Sequence, residues 1–193
     1  MEEQSLIDLE AEKRRFEDGG ILVLVNEDEN KLEFLVKDGK TTLVHMITQK
    51  NITMRSPYWI DIVPFGVYRL DFDKNGYQDF LIFYRYSGVS LPSYDNTVEI
   101  YLKKDDGSYQ KISYDTLSAG LEDYVDINKD GMIEVIIADI LTLQKDNYLS
   151  YDVYEFSDYA LVNADGKFRR FPKFVKITDR PNCLLYTSPS PRD

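Results

Sequence analysis

Two short segments carry oxygen-bearing side chains at a spacing that suits a hard cation. The first reads Asp71-Phe72-Asp73-Lys74-Asn75-Gly76-Tyr77-Gln78-Asp79. The second reads Asp126-Ile127-Asn128-Lys129-Asp130-Gly131-Met132-Ile133-Glu134. Both fit D-x-[DN]-x-[DN]-G-x-x-[DE], and both run directly into β-branched and aromatic residues. Side-chain oxygens at positions 1, 3 and 5 of a tight loop converge on one point, and Gly at position 6 permits the bend that lets them do so. A backbone carbonyl at position 7 and a carboxylate at position 9 can complete an oxygen shell. Hard oxygen ligands on a flexible loop suit Ca²⁺ better than Mg²⁺. Without a cation, three carboxylates in one loop repel one another. Asp, Asn and Gly also gather in ordinary turns; the recurrence of the whole pattern is what favours metal.

An EF-hand would need a bidentate Glu at position 12 and a helix on each side. Position 12 is Ile82 in one loop and Ile137 in the other, and strand-forming residues follow both, so that motif is ruled out. With an acid at position 9 and a strand leaving the loop, the pattern resembles the calcium loops of FG-GAP or VCBS repeats, found in integrin-type β-propellers and many bacterial surface proteins. The resemblance covers residues ~65 to 170; Asn stands for Asp at single positions, and the Phe-Gly/Gly-Ala-Pro signature is not clearly present. It implies two Ca²⁺ sites. The ligands would be Asp71, Asp73, Asn75 and Asp79 with the Tyr77 carbonyl, and Asp126, Asn128, Asp130 and Glu134 with the Met132 carbonyl.

The elements that must hold these loops read as strands. From Ile21 onward the hydrophobic period is two. Asp38-Gly39 and Asp106-Gly107 sit between alternating runs, at Leu32–Val36 with Thr41–His45 and at Val98–Leu102 with Ser108–Ser113. These predict hairpins. A third is expected from Tyr159–Val162 through Asp165-Gly166 to Lys167–Phe171. The order also repeats: 55 residues separate Asp71 from Asp126, and 59 separate Gly107 from Gly166. A unit of this size, with four short strands, matches one propeller blade. The expected fold is therefore mainly β: antiparallel four-stranded repeats of β-propeller-blade type, incomplete in number. Residues 2–17 carry a loose apolar stripe (Leu6, Leu9, Ala11, Phe16) ending at Gly19-Gly20, which predicts a short N-terminal helix.

Composition narrows the function. The chain has 193 residues and a net charge of −11, from 34 acids against 23 Lys and Arg, which disfavours nucleic acid as a partner. No apolar run approaches the ~20 residues of a membrane-spanning helix. One His and one Cys leave no zinc site of His/Cys type. His45, in an alternating strand, reads as a surface or core residue. Tyr58-Trp59 reads as part of a strand, and Asn51-Ile-Thr53 is a glycosylation sequon whose meaning depends on the host. Met1-Glu-Glu-Gln has no signal-peptide character. The last eleven residues, Cys183–Asp193, resemble the translation of a tagmentation adapter used in sequencing libraries. The expected organisation is an N-terminal leader over 1–20, a β-rich repeat domain over 21–182 that is cut short of its own C-terminus, and an adapter-derived or disordered tail over 183–193. The expected function is a calcium-binding structural or interaction module that meets protein or glycan through its loops, at the cell surface by resemblance. It is not expected to be an enzyme. A polysaccharide-active domain on a propeller scaffold and a metal-free cytosolic β-domain are the alternatives.

Overall fold

A computed structural model describes residues 4–8, 15–27, 31–49, 61–87, 96–143 and 146–177. The period of two produces strands. In β3 (Ile21–Glu27), Ile21, Val23 and Val25 are buried, and in β4 (Lys31–Asp38), Leu32, Phe34 and Val36 are buried. With β2 (Arg15–Asp18) and β5 (Thr41–Gln49) they form an antiparallel meander in the order β2-β3-β4-β5.

Among the described residues the expected N-terminal helix is not found. Gln4–Asp8 is strand β1 and Arg15–Asp18 is β2. Gly19-Gly20, expected to stop a helix, is instead a hairpin turn. Both residues have positive φ, 55° and 88°, as a two-residue type I′ turn requires. Pairing with β3 sets Phe16 opposite Val23 and packs its ring against the first core. A lone charged helix would bury nothing comparable.

The second sheet has the order β1-β6-β7-β8-β9, with β6 (Asp61–Leu70), β7 (Asp79–Ser87), β8 (Asn96–Lys103) and β9 (Tyr109–Thr116). The third runs β10 (Tyr124–Val125), β11 (Glu134–Leu143), β12 (Asp146–Ser157) and β13 (Ala160–Asn163). The other half of β12 pairs with β14 (Phe174–Ile177). All three sheets are antiparallel, and none is closed. The two hairpins signalled by Asp38-Gly39 and Asp106-Gly107 form as expected. The third stops at β13. Lys167–Phe171 forms successive turns, closed by Lys167 N–H to Ala164 O (2.8 Å) and Phe171 N–H to Phe168 O (2.9 Å). Asp165 pins this segment by accepting the Val153 N–H and the Lys173 ammonium.

The middle sheet is covered on both faces. On β7, Phe80, Ile82 and Tyr84 join the core shared with the first sheet. Leu81 and Phe83 join the core shared with the third. A strand buried on both sides reads as one continuous apolar run, and Phe80–Tyr84 does. Gly66 lies at an irregularity in the β6–β7 register. A Cβ there would meet the Tyr68 ring at 2.7 Å and the Phe83 ring at 3.2 Å. Gly66→Ala is therefore expected to cost about 1–3 kcal/mol, by overpacking the core, in a urea melt.

Among the described residues no helix is long and apolar enough to cross a membrane. His45 is exposed on β5, with Nε2 3.0 Å from Glu33 Oε1. Asn51, Tyr58-Trp59 and the 183–193 tail lie outside the described residues.

Candidate metal centre

Each acidic loop joins two neighbouring antiparallel strands. Loop 71–79 links β6 to β7, and loop 126–134 links β10 to β11. In both, the residue at position 9 opens the leaving strand and pairs with the last residue of the arriving one: Leu70 with Asp79, and Val125 with Glu134. The two backbones bend alike. Position 4 is left-handed in each (Lys74 φ 59°, Lys129 φ 64°), and position 6 follows (Gly76 φ 88°, Gly131 φ 90°). The position-6 glycines were legible in the sequence; the left-handed lysines were not, because Lys has no preference for that region.

The first loop gathers its acids. Ligand atoms of Asp71, Asp73 and Asp79 all lie within 4.8 Å of one another, and no other group of three or more His, Cys, Asp or Glu does so among the described residues. Asp79 is fully buried, its two oxygens accepting the N–H groups of Lys103 (2.8 Å) and Phe72 (2.9 Å). Asp73 accepts the backbone N–H and the side-chain amide of Asn75. Asp71 Oδ2 accepts the Gly76 N–H at 3.0 Å, but Asp71 Oδ1 is buried with no partner. Burial, followed by the charges of Asp73 and Asp71, pushes the Asp79 carboxyl up to about 7 despite its two N–H donors. Burial also raises Asp73, and the neighbouring Asp71 charge adds to it. None of the three has a Lys or Arg ion-pair partner among the described residues.

The second loop is closed on itself. Both Asp126 oxygens accept backbone N–H groups, from Asp130 (3.0 Å) and Gly131 (2.9 Å). Asp130 accepts the Met132 N–H and the Asn128 amide, which hold its carboxyl below the usual range. The buried Glu134 accepts the Ile127 N–H at 2.6 Å, and its other oxygen lies 3.4 Å from the Asn128 amide. Burial raises Glu134. Each loop thus has three carboxylates and one Asn; Asn128, at position 3, donates toward both Asp130 and Glu134, whereas Asn75, at position 5, donates to Asp73 and to the Lys103 carbonyl.

The remaining expected ligands fall around these acids. Asn75 Oδ1 accepts the Tyr77 N–H, and its amide also donates to the Lys103 carbonyl at 2.8 Å. Tyr77 itself is exposed. Met132 ends the second loop's chain of turns, with its N–H on Asp130.

Two supporting groups gave no sequence signal. Phe72, at position 2, is fully buried between Tyr124 and Phe156, each ring 5.5 Å away. Lys103, at the end of β8, ties three parts together. Its backbone holds Asp79 and Asn75, and its ammonium reaches Asp38 in the first sheet's turn, which also accepts the Tyr109 hydroxyl at 2.6 Å. These contacts join residues far apart in the chain, so no local pattern announces them.

The chain matches no protein-family model, no curated protein and no solved structure.

The donor set of the first loop fits a hard cation. It offers only oxygens, a surplus of negative charge, and one buried carboxylate oxygen that nothing in the protein satisfies. A buried polar atom in that state costs about 1–3 kcal/mol, more when charged.

Proposed function

We propose that this chain is a β-sheet interaction module of FG-GAP/VCBS character whose architecture is stabilised by Ca²⁺. The supporting observation is the orphaned Asp71 Oδ1 beside Asp73 and Asp79. Asp71, Asp73, Asn75, Asp79 and the Tyr77 carbonyl hold the first ion. Asp126, Asn128, Asp130, Glu134 and the Met132 carbonyl hold the second, more weakly, because none of their buried side-chain oxygens is left without a partner as Asp71 Oδ1 is. The ion supplies charge neutralisation, not catalysis. It removes carboxylate repulsion and fixes the angle at which β7 leaves its loop. Through Lys103 that order reaches Asp38 in the first sheet. The loops then present a surface for a protein or carbohydrate partner. Extracellular sites of this kind load at roughly 10⁻⁴–10⁻³ M Ca²⁺, which accords with a cell-surface setting.

Terbium, a luminescent stand-in for Ca²⁺, tests this at the site, since Tyr77 can sensitise it from within the first loop. Saturable Tb³⁺ emission that Ca²⁺ competes away, and that falls sharply in Tyr77→Leu, is the expected result. Emission that is unsaturable, or indifferent to Ca²⁺, would refute the proposal.

A further inference from the structure

Beside the second loop lies a site of opposite charge. The turn segment after β13 and the loop together line an open cavity of about 600 Å³. Lys167, Phe168, Arg169, Arg170 and Phe171 line one side and Asn128 the other. The chain has 34 acids against 23 bases. Several of its lysines are paired with acids: Lys103 with Asp38, Lys111 with Glu99, Lys173 with Asp165 and Lys176 with Asp146. Lys167 at the cavity is likewise paired with Glu155. Arg169 and Arg170 are exposed and make no ion pair or hydrogen bond among the described residues. Their backbone N–H groups are also free of the turn's hydrogen bonds, which use those of Lys167, Phe168 and Phe171.

We infer that this cavity binds a small molecule bearing one oxyanion on an apolar or aromatic body. Two adjacent guanidinium groups offer the planar donor forks that match a carboxylate or phosphate bidentately. Phe168 and Phe171 are partly buried and form an apolar wall, with Phe171 held edge-on against Tyr151 at 6.5 Å. The volume falls in the range of small-ligand pockets. The charge of −11 repels an extended polyanion, so the site suits a compact anion rather than nucleic acid. The inference does not rest on the cation reading, because none of the three cationic side chains belongs to a metal loop.

Calorimetric titration of the full chain with phenyl phosphate, benzoate and inorganic phosphate tests it. Saturable millimolar or tighter binding of at least one aryl anion, stronger than that of inorganic phosphate, is expected. The stronger aryl anion identifies phosphomonoester or carboxylate as the preferred group. Arg169→Ala/Arg170→Ala should weaken it about tenfold or more. Lys40→Ala, which removes an exposed cation from a distant turn, should leave it unchanged. Both arginines are exposed, so the double variant should keep its melting temperature. Equal binding by the wild type and the double variant, or no saturable binding of either aryl anion, overturns the proposal.

Discussion

Asp71→Asn is expected to raise the melting temperature of the Ca²⁺-free protein and to abolish the further rise that Ca²⁺ gives the wild type. The two effects have opposite signs and one cause. An asparagine can keep the hydrogen bond from the Gly76 N–H. It also replaces the unpartnered Oδ1 with an amide that can donate toward Asp73 or Asp79. One of three crowded charges disappears, for a gain of about 1–2 kcal/mol. For a domain of this size that is roughly 2–8 °C. The same change removes a ligand oxygen, so Ca²⁺ loses its preference for the folded state at this site. The wild type should gain about 2.7 kcal/mol at a Ca²⁺ concentration a hundred times its Kd. A variant that melts lower without Ca²⁺, yet keeps the full Ca²⁺ response, would show that Asp71 has a purely structural role.

The same loop sets a pH dependence. Asp79 is held at about 7 against an ordinary 3.8, so the folded state binds this proton more tightly than the unfolded state does. The contribution of Asp79 to the stability of the Ca²⁺-free protein is therefore fully present below about pH 4, is lost as pH rises to about 7, and is absent above. The contribution is on the order of 4 kcal/mol. Asp38, Asp130 and Asp165 have lowered values and act oppositely, losing stability only as pH falls below the ordinary carboxylate range. Saturating Ca²⁺ should flatten the decline between pH 4 and 7 in chemical denaturation.

Phe72→Ala is the substitution expected to cost most, about 3–5 kcal/mol, or roughly 6–20 °C in melting temperature. The ring is fully buried and fills the space between the second and third sheets, against Tyr124 and Phe156. Its own N–H holds Asp79 Oδ2, so the cavity left behind sits directly under the acid cluster. Ca²⁺ affinity should weaken but survive, since no ligand oxygen is lost. Ile127→Ala, the counterpart in the second loop, should cost less because Ile127 is only partly buried. Equal losses in the two variants, read by thermal melting, would contradict the assignment of Phe72 as the anchor.

How much of this was legible in the sequence depended on how local the cause was. β3, β4 and the Asp-Gly hairpins could be read because alternation and turn chemistry act over a few residues. Residues 2–17 could not: Leu6, Leu9 and Phe16 suit a helical stripe as well as a strand face. The choice is made by pairing with β3 and β6, the latter more than fifty residues away. Lys167–Phe171 misled in the same way, because Asp165 and β14 claim the neighbouring backbone. Both acidic loops were visible as patterns, and the structure gives them the same backbone. Their difference was not visible. It arises from Asn128, which donates to two acids in one loop, and from the buried Asp71 oxygen left without a partner in the other, which only packing reveals.

The most direct test of the central claim is calorimetric melting of the full chain in excess chelator, in millimolar Ca²⁺ and in millimolar Mg²⁺. The account predicts a melting temperature several degrees higher in Ca²⁺ than in chelator, with a smaller rise in Mg²⁺. Coincident melts in Ca²⁺ and chelator would contradict it, and would leave the Asp71, Asp73 and Asp79 loop as a turn that holds its charges without an ion.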